Sequence, residues 1–240
     1  MNTDMRNKTI LKAAGAAVFA VMLCVGCYDL GIEPSVKTTV ETFVDKRDGK
    51  EYKKVKIGEQ VWMAENLKFA AEGSVCYAGY NDSVTARMCE TYGRLYDWNT
   101  AMNGEHSSSA VPSGVEGVCP VDWHLPSDAE WTILIDHVGE RAGTKLKSGT
   151  FHGTKPGSVK TPEGTDIYNF SALPAGLGSD DGGTRHFFHQ GTVTYWWSAT
   201  ESESDSDEAY FRHIQGSDDG VARYHLDKHL YLASVRCVHD

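Results

Sequence analysis

Residues 123–134 read WHLPSDAEWTIL, and how this stretch is read decides both the fold class and whether the chain looks like an enzyme. His124, Asp128 and Glu130 are three groups able to exchange protons, but they also have the layout of a helix start. Ser127 followed three residues later by Glu130 is a capping box, in which each side chain accepts from the other's backbone N–H. Asp128 falls in the first turn, where the helix dipole favours negative charge. Pro126 precedes the cap and is placed to pack against Trp131. Trp131, Leu134, Ile135 and Val138 then recur at helical spacing, and Gly139 stands where a helix ends. Every charged residue here has a structural task, and His124 is read as a hydrogen-bonded histidine of core or loop. The stretch is architecture.

Upstream of this helix the pattern is β. ETFVD, KRDGK and EYKKVKIG give strand, Asp-Gly turn and strand. Another turn at 58–60 leads into VWMAENL, so residues 41–67 read as a meander of three short strands. Tyr52, Val55 and Ile57 do not alternate, which suggests a bulge or an exposed edge. Residues 71–90 read as a polar loop, 92–102 (YGRLYDWNTAM) as a helix with one buried face, and 103–117 as a Ser/Gly/Pro loop open to disorder or insertion. Downstream, AGTKLKSG is a short helix or strand, and 149–166 is a loop. IYNFSALPAG (167–176) reads as a buried strand, and 177–191 as a loop. VTYWWSAT (193–200) has the β-branched and aromatic content of a central strand. ESESDSDE (201–208) is a solvated acidic loop. AYFRHIQ and VARYHL form a hairpin around an Asp-Gly turn, and YLASVRCVHD supplies a last strand.

The first 26 residues have the layout of a secretory signal. Arg6, Lys8 and Lys12 precede the apolar run AAGAAVFAVML (13–23), which is too short to span a bilayer. Gly26 before Cys27 resembles a lipoprotein cleavage box, with Cys24 where leucine usually stands. The expectation is a lipidated Cys27, a tether over 27–40 and one domain over 41–240, held at the cell envelope, at the outer membrane. Residues 1–27 carry three of the 23 basic and one of the 33 acidic residues. The remainder therefore has 20 and 32, a net charge of −12. So acidic a surface argues against nucleic acid and anionic lipid as partners.

Four cysteines remain, Cys76, Cys89, Cys119 and Cys237. An even number in an exported chain favours two disulfides, with three connectivities open. The preferred pairing is Cys76–Cys89, closing a polar loop, with Cys119–Cys237 tying mid-chain to the C-terminal end. No CxxC spacing supports a zinc site.

The ordered blocks DGKEYKKVKIGEQVWMAENL, YGRLYDW, GVCPVDWHLPSDAEWTIL, AGTKLKSG, NFSALPAG, YWWSATES and SVRCVHD resemble the Fibrobacter succinogenes major paralogous domain from about residue 45 to 240. That resemblance implies an exported bacterial protein, frequently a lipoprotein, of unassigned molecular role. WHLPSDAEW is also similar to a segment of formylglycine-generating enzymes, and SVRCV to their C-terminal block. These likenesses imply an α+β, C-type-lectin-like mixed domain: an irregular antiparallel sheet with two main helices and long loops, stapled by disulfides. The late cysteine pair that the formylglycine chemistry requires is missing, since only Cys237 lies late, so no catalytic residues carry over.

Other chemistry is thinly signalled. There is no Gly-x-Ser-x-Gly elbow. The Glu-Pro-Asn and Trp-Asn-Asp motifs of calcium-dependent lectins do not occur, nor does EF-hand spacing. Asp180 and Asp181, Asp205, Asp207 and Glu208, and Asp218 and Asp219 are calcium candidates only if two acidic loops converge, because calcium takes six to eight oxygens. His186 and His189 read as residues of a surface loop, and His213, His225 and His229 scatter over the hairpin. Adjacent tryptophans in a strand face opposite ways, so one of Trp196 and Trp197 is a candidate for display to a sugar ring or a protein partner, with Asp180, Asp181, Asp205 and Asp207 nearby. The expectation is a non-enzymatic surface protein binding a polysaccharide or another surface protein, without a cofactor unless calcium binds. The alternatives are a glycan-acting enzyme, needing two facing carboxylates about 5 or 6.5–9.5 Å apart, and a purely structural envelope component.

Overall fold

Val40–Val44 (β1), Glu51–Ile57 (β2) and Gln60–Met63 (β3) form the expected antiparallel meander, with Val40 opposite Val55 and Val55 opposite Trp62. The computed structural model describes residues 36–78, 82–151 and 163–239. The broken alternation in β2 is no bulge: the β1–β2 register runs unbroken from Val44 to Val40. Instead, β2 changes its buried face partway along, leaving Lys53 and Lys56 exposed between and beside the buried residues. Tyr52 and Met63 point into one buried cluster, and Val55, Ile57 and Trp62 into a second. Each face of β2 is buried over only part of its length, Tyr52 near one end and Val55 and Ile57 near the other, so no single alternation runs through it.

The stretch from 82 to 102 departs from the sequence reading. Asp82–Tyr92 is a helix (α1), Leu95–Tyr96 a short strand (β4), and only Trp98–Met102 a second helix (α2). The long expected helix is interrupted because Gly93 adopts φ +81°, where a Cβ would lie 2.6 Å from Asn66 Cβ. The Asp97 carboxylate then caps α2 by accepting from Thr100 N at 2.8 Å. The supposed polar loop holds α1 because a helix exposed over most of its surface shows little apolar periodicity; only Val84 and Cys89 are buried.

Trp123–His124 (β5) leads into Asp128–Val138 (α3), with both halves of the capping box formed and Gly139 at its end. Ala142–Leu146 (α4) follows. Residues 167–176 are buried, as expected, but irregular: Asn169 and Ser171 both have positive φ, which no strand tolerates. The segment is held from outside instead. The Arg236 guanidinium donates to the Phe170 carbonyl, and the Asp166 carboxylate accepts from Ser171 N at 2.8 Å.

The region read as a loop at 177–191 is a hairpin, Leu177–Asp181 (β6) and Thr184–Phe188 (β7). Gly182 and Gly183 both have positive φ, as a two-residue I′ turn requires. Val193–Glu201 (β8) is the expected central strand. Glu208–Gln215 (β9) and Ala222–Asp227 (β10) form the expected hairpin. The last predicted strand is two, Tyr231–Ser234 (β11) and Val238–His239 (β12), which lie in different sheets. One sheet runs β1-β2-β3-β12-β5; the other runs β10-β9-β8-β11-β6-β7, with β4 on β11. All named pairs are antiparallel except β8 with β11. The fold is α+β, with four helices among the described residues.

Two tryptophan-rich cores result. Trp98, Ala101 and Met102 of α2 join Tyr52, Trp123 and Trp197 in one. Trp131, Leu134 and Val138 of α3 join Trp62, Phe170 and Trp196 in the other. Each fully buried large apolar side chain stabilises by about 1.5–3 kcal/mol. Disulfides join Cys76 to Cys89 and Cys119 to Cys237. The second spans 118 residues and in the chain-entropy model contributes about 4–5 kcal/mol. The Ser/Gly/Pro loop at 103–117 is pinned, not loose: Ser108 N donates to the Ala199 carbonyl at 2.9 Å, and Ser113 N to Glu130 Oε2 at 3.1 Å.

Buried charges tie the layers together. Asp128 accepts from Arg212 Nη2 on β9 and from Arg223 Nε on β10, each at 2.7 Å. Arg236 is wholly buried against Phe170 and Trp196 and donates to Asn66 Oδ1 at 2.8 Å. Burial pushes its pKa down to about 9, so it remains a cation at neutral pH. Lys147 donates to the Gln215, Gly216 and Asp218 carbonyls, fixing the β9–β10 turn.

Candidate functional site

The side chains of β8 settle which surface is left open. Trp196 and Trp197 do point to opposite faces, but both are 0% exposed. Trp196 Nε1 donates to Asn66 Oδ1 and Trp197 Nε1 to the Tyr96 carbonyl, each at 2.8 Å. A buried indole with its N–H satisfied is core. The expectation that one of them is displayed is therefore wrong. Sequence alternation gives the face but not what covers it, and here α2 and α3 cover both sides.

Two residues before Trp197, Tyr195 shares its face and lies beyond the cover. The register places Tyr195 opposite His213, and His213 opposite Ala222; Phe211 stands opposite both Trp197 and Tyr224. Cross-strand partners point to the same side of a sheet. Hence Tyr195, Phe211, His213 and Tyr224 form one patch, and His189 and Phe188 extend it beyond β7. Ring centroids follow one another at 6.2 Å (Phe188–His189), 6.0 Å (His189–Tyr195), 5.4 Å (Tyr195–His213) and 5.6 Å (His213–Tyr224). Tyr224 is 59% and Phe188 41% exposed, His186 and His189 are exposed, and Tyr195 and His213 are half-buried.

Polar atoms are set among these rings. His189 Nδ1 and the Tyr195 hydroxyl are 2.9 Å apart. His213 Nδ1 is buried and has no hydrogen-bond partner among the described residues. Burial, helped by His189 and opposed by Asp218, holds the His213 pKa below its ordinary value, and burial raises that of Tyr195. Both groups are thus kept neutral at pH 7. The opposite face of the same strands is ionic: Arg212 and Arg223 reach Asp128, and His225 meets Glu208.

The acidic candidates lie elsewhere and are partly occupied. Asp180 accepts from Gly183 N at 2.7 Å and Arg185 Nε at 2.8 Å, and Arg185 holds its carboxyl below the usual range. Asp181 is exposed at the tip of the β6–β7 hairpin. Asp205 accepts from Asp207 N at 2.9 Å, and the Asp207 carboxylate is 4.0 Å from His229. The β10–β11 connection touches both loops, since Asp180 N donates to the Leu230 carbonyl and Lys228 N to that of Asp207. Among the described residues no three His, Cys, Asp or Glu side chains are grouped to hold a metal ion. His186 lies on β7 and His189 just beyond it, not on a helix. Cys27 lies outside the described residues.

The cluster that opened the sequence reading is internal. His124 Nε2 is 2.7 Å from Glu130 Oε1, and Glu130 Oε2 accepts from Ser127 N and Ser113 N. A concave surface of about 660 Å³ lies beside β1 and β2, lined among others by Lys37, Glu41, Lys54, Glu59, His137 and Tyr168. Its carboxylates pair with lysines, Glu41 with Lys54 and Glu59 with Lys56.

The fold and this surface together define a disulfide-stapled α+β domain with an open aromatic face and its buried acids engaged internally. The chain belongs to the Fibrobacter succinogenes major domain family, whose model it matches over residues 55–239. No curated protein and no solved structure matches it.

Proposed function

We propose that this is a non-enzymatic binding domain displayed at the bacterial cell envelope, whose ligand surface is the aromatic and histidine face of β7, β8, β9 and β10. The observation that carries this reading is the continuous file of rings from Phe188 to Tyr224, open to solvent at both ends. Exposed contiguous ring surface on a soluble domain marks a contact site. The non-catalytic reading is supported by the acids themselves: Asp45, Asp128, Asp166 and Glu130 are each engaged by partners inside the domain. The C-type-lectin-like description draws support from β12, which returns the chain's end to lie beside β3 in the sheet that β1 begins. Lipidation of Cys27 would tether the domain to the outer membrane, and its leader sequence is the support.

The test is a pull-down and glycan-array screen with the purified full chain in detergent, in calcium and in chelator, alongside Tyr224→Ala. Retention of a polysaccharide or a surface protein that disappears in Tyr224→Ala is expected. Turnover of a glycan that stops with Glu41→Gln or Glu59→Gln would move the function to the cleft beside β1 and make the protein an enzyme. Metabolic labelling with palmitate, lost in Cys27→Ala, checks the anchor.

A further inference from the structure

Resting on the reading that this ring face is the ligand surface, we propose that its ligand is an uncharged polysaccharide, stacked by its pyranose rings along Phe188, His189, Tyr195, His213 and Tyr224. Three observations select that chemistry. First, the rings recur at 5.4–6.2 Å centroid to centroid, so apolar surface is offered as a file of neighbouring rings across several strands. A file suits a polymer lying across the sheet; a small ligand would find no enclosure there.

Second, hydrogen-bonding atoms alternate with the rings. The Tyr195 and Tyr224 hydroxyls and the His189 imidazole sit along the file. A sugar presents the same alternation, with a C–H face that stacks on an aromatic ring and hydroxyls around its rim that both donate and accept.

Third, the face carries no lysine or arginine and stands on an acidic chain. On this side β7 shows Thr184, His186 and Phe188, and β10 shows Ala222, Tyr224 and Leu226. Arg185, Arg223 and His225 fall on the other side by alternation. The strands therefore offer no Lys or Arg to an anionic polymer, and Asp218 and Asp181 lie at the turns bordering the face. With a net charge of −10, the chain repels polyuronates, nucleic acid and anionic lipid at neutral pH.

The experiment is affinity electrophoresis and calorimetry of the full chain at pH 7.5 with named polymers: a mixed-linkage β-glucan, a galactomannan, an arabinoxylan and polygalacturonate. The chain is expected to bind at least one neutral polymer and not the polygalacturonate. Tyr224→Ala should weaken that binding about tenfold, the equivalent of one lost ring contact, while Tyr224→Phe retains most of it. Because Tyr224 is exposed, both variants should fold, with unchanged near-ultraviolet dichroism as the check. Failure to bind any of the neutral polymers overturns the proposal, as does neutral-polymer binding that Tyr224→Ala leaves intact. Binding of polygalacturonate or an envelope protein, lost in Tyr224→Ala, would overturn the ligand class and leave the ring face as the binding surface. If Tyr224→Ala alters no interaction at all, the ring-face reading fails too.

Discussion

Nε2 of His124 lies 2.7 Å from Oε1 of Glu130, and both side chains are buried at the start of α3. The same carboxylate closes the capping box and accepts from Ser113 N at 3.1 Å. One side chain therefore joins a strand, a helix cap and the 103–117 loop. Glu130→Gln keeps the volume but puts an amide N–H₂ where one oxygen accepted. The expected cost is about 2–3 kcal/mol, since a buried donor left without its acceptor loses its full hydration energy. The urea midpoint should fall with an unchanged slope. A Gln variant as stable as the parent would show that the carboxylate is dispensable.

Asp128 separates a buried ion pair from a surface one on a single carboxylate. Arg212 is buried and also donates to the Asp128 carbonyl at 2.9 Å, whereas the Arg223 side chain is 44% exposed. Asp128→Asn should cost about 3–5 kcal/mol, because it strands the Arg212 guanidinium. Arg223→Ala should cost under about 1 kcal/mol, because water already screens that pair. Chemical unfolding of both variants measures the difference, and equal losses would refute the assignment of the energy to Arg212.

What the sequence disclosed was what depends on near neighbours. The Ser127–Glu130 box, the Asp-Gly hairpin of β9 and β10 and the apolar content of β8 are all local signals, and each element formed. Elements that depend on distant partners stayed hidden. Leu95 and Tyr96 are a strand because Ser234 and Ala233 pair with them; the local signs, Gly93 before them and the Asp97 cap after them, break a helix without announcing a strand. The β6–β7 hairpin did carry a signal, Gly182-Gly183 between two short runs, but its polar residues made it resemble a loop. The candidate site was misplaced for the same reason. Adjacency picked out Trp196 and Trp197, whereas the open face is assembled across strands by register, from Tyr195, His213 and Tyr224. Parity along β8 would have placed Tyr195 beside Trp197. The pairing of β8 with β9 and of β9 with β10 was needed to add the rest.

The pH dependence of stability should carry the signature of His213. Burial, and then His189, depress its folded-state pKa below 6.5, with Asp218 pulling the other way. As pH falls, the unfolded chain takes up the proton first. Stability present above pH 6.5 is therefore lost progressively below it, until the folded protein is protonated as well. His213→Gln removes the titration without adding charge. Thermal midpoints measured from pH 8 to pH 5 should fall less steeply in that variant than in the parent. Parallel curves would place the acid sensitivity in other groups.

The two disulfides should differ in how readily they open. Cys119 and Cys237 are fully buried, whereas Cys76 is only half-buried. Arg94 Nη1 lies 3.5 Å from Cys89 Sγ and 3.6 Å from Cys76 Sγ. A cation beside a sulfur favours the thiolate, and a better thiolate is a better leaving group in thiol–disulfide exchange. Under a limiting dithiol, Cys76–Cys89 should open first while Cys119–Cys237 persists, as read by alkylation and peptide mass mapping. Arg94→Met should slow that first step by about threefold for each pKa unit the guanidinium supplied. The same substitution also frees Ser74, whose Oγ and carbonyl oxygen accept from Arg94, and a loosened loop would speed reduction instead. Arg94→Lys distinguishes the two effects. It retains the charge and loses the planar fork, so a rate near the parent's assigns the effect to charge. A rate raised to the same extent in both variants assigns it to the loop and removes the electrostatic account.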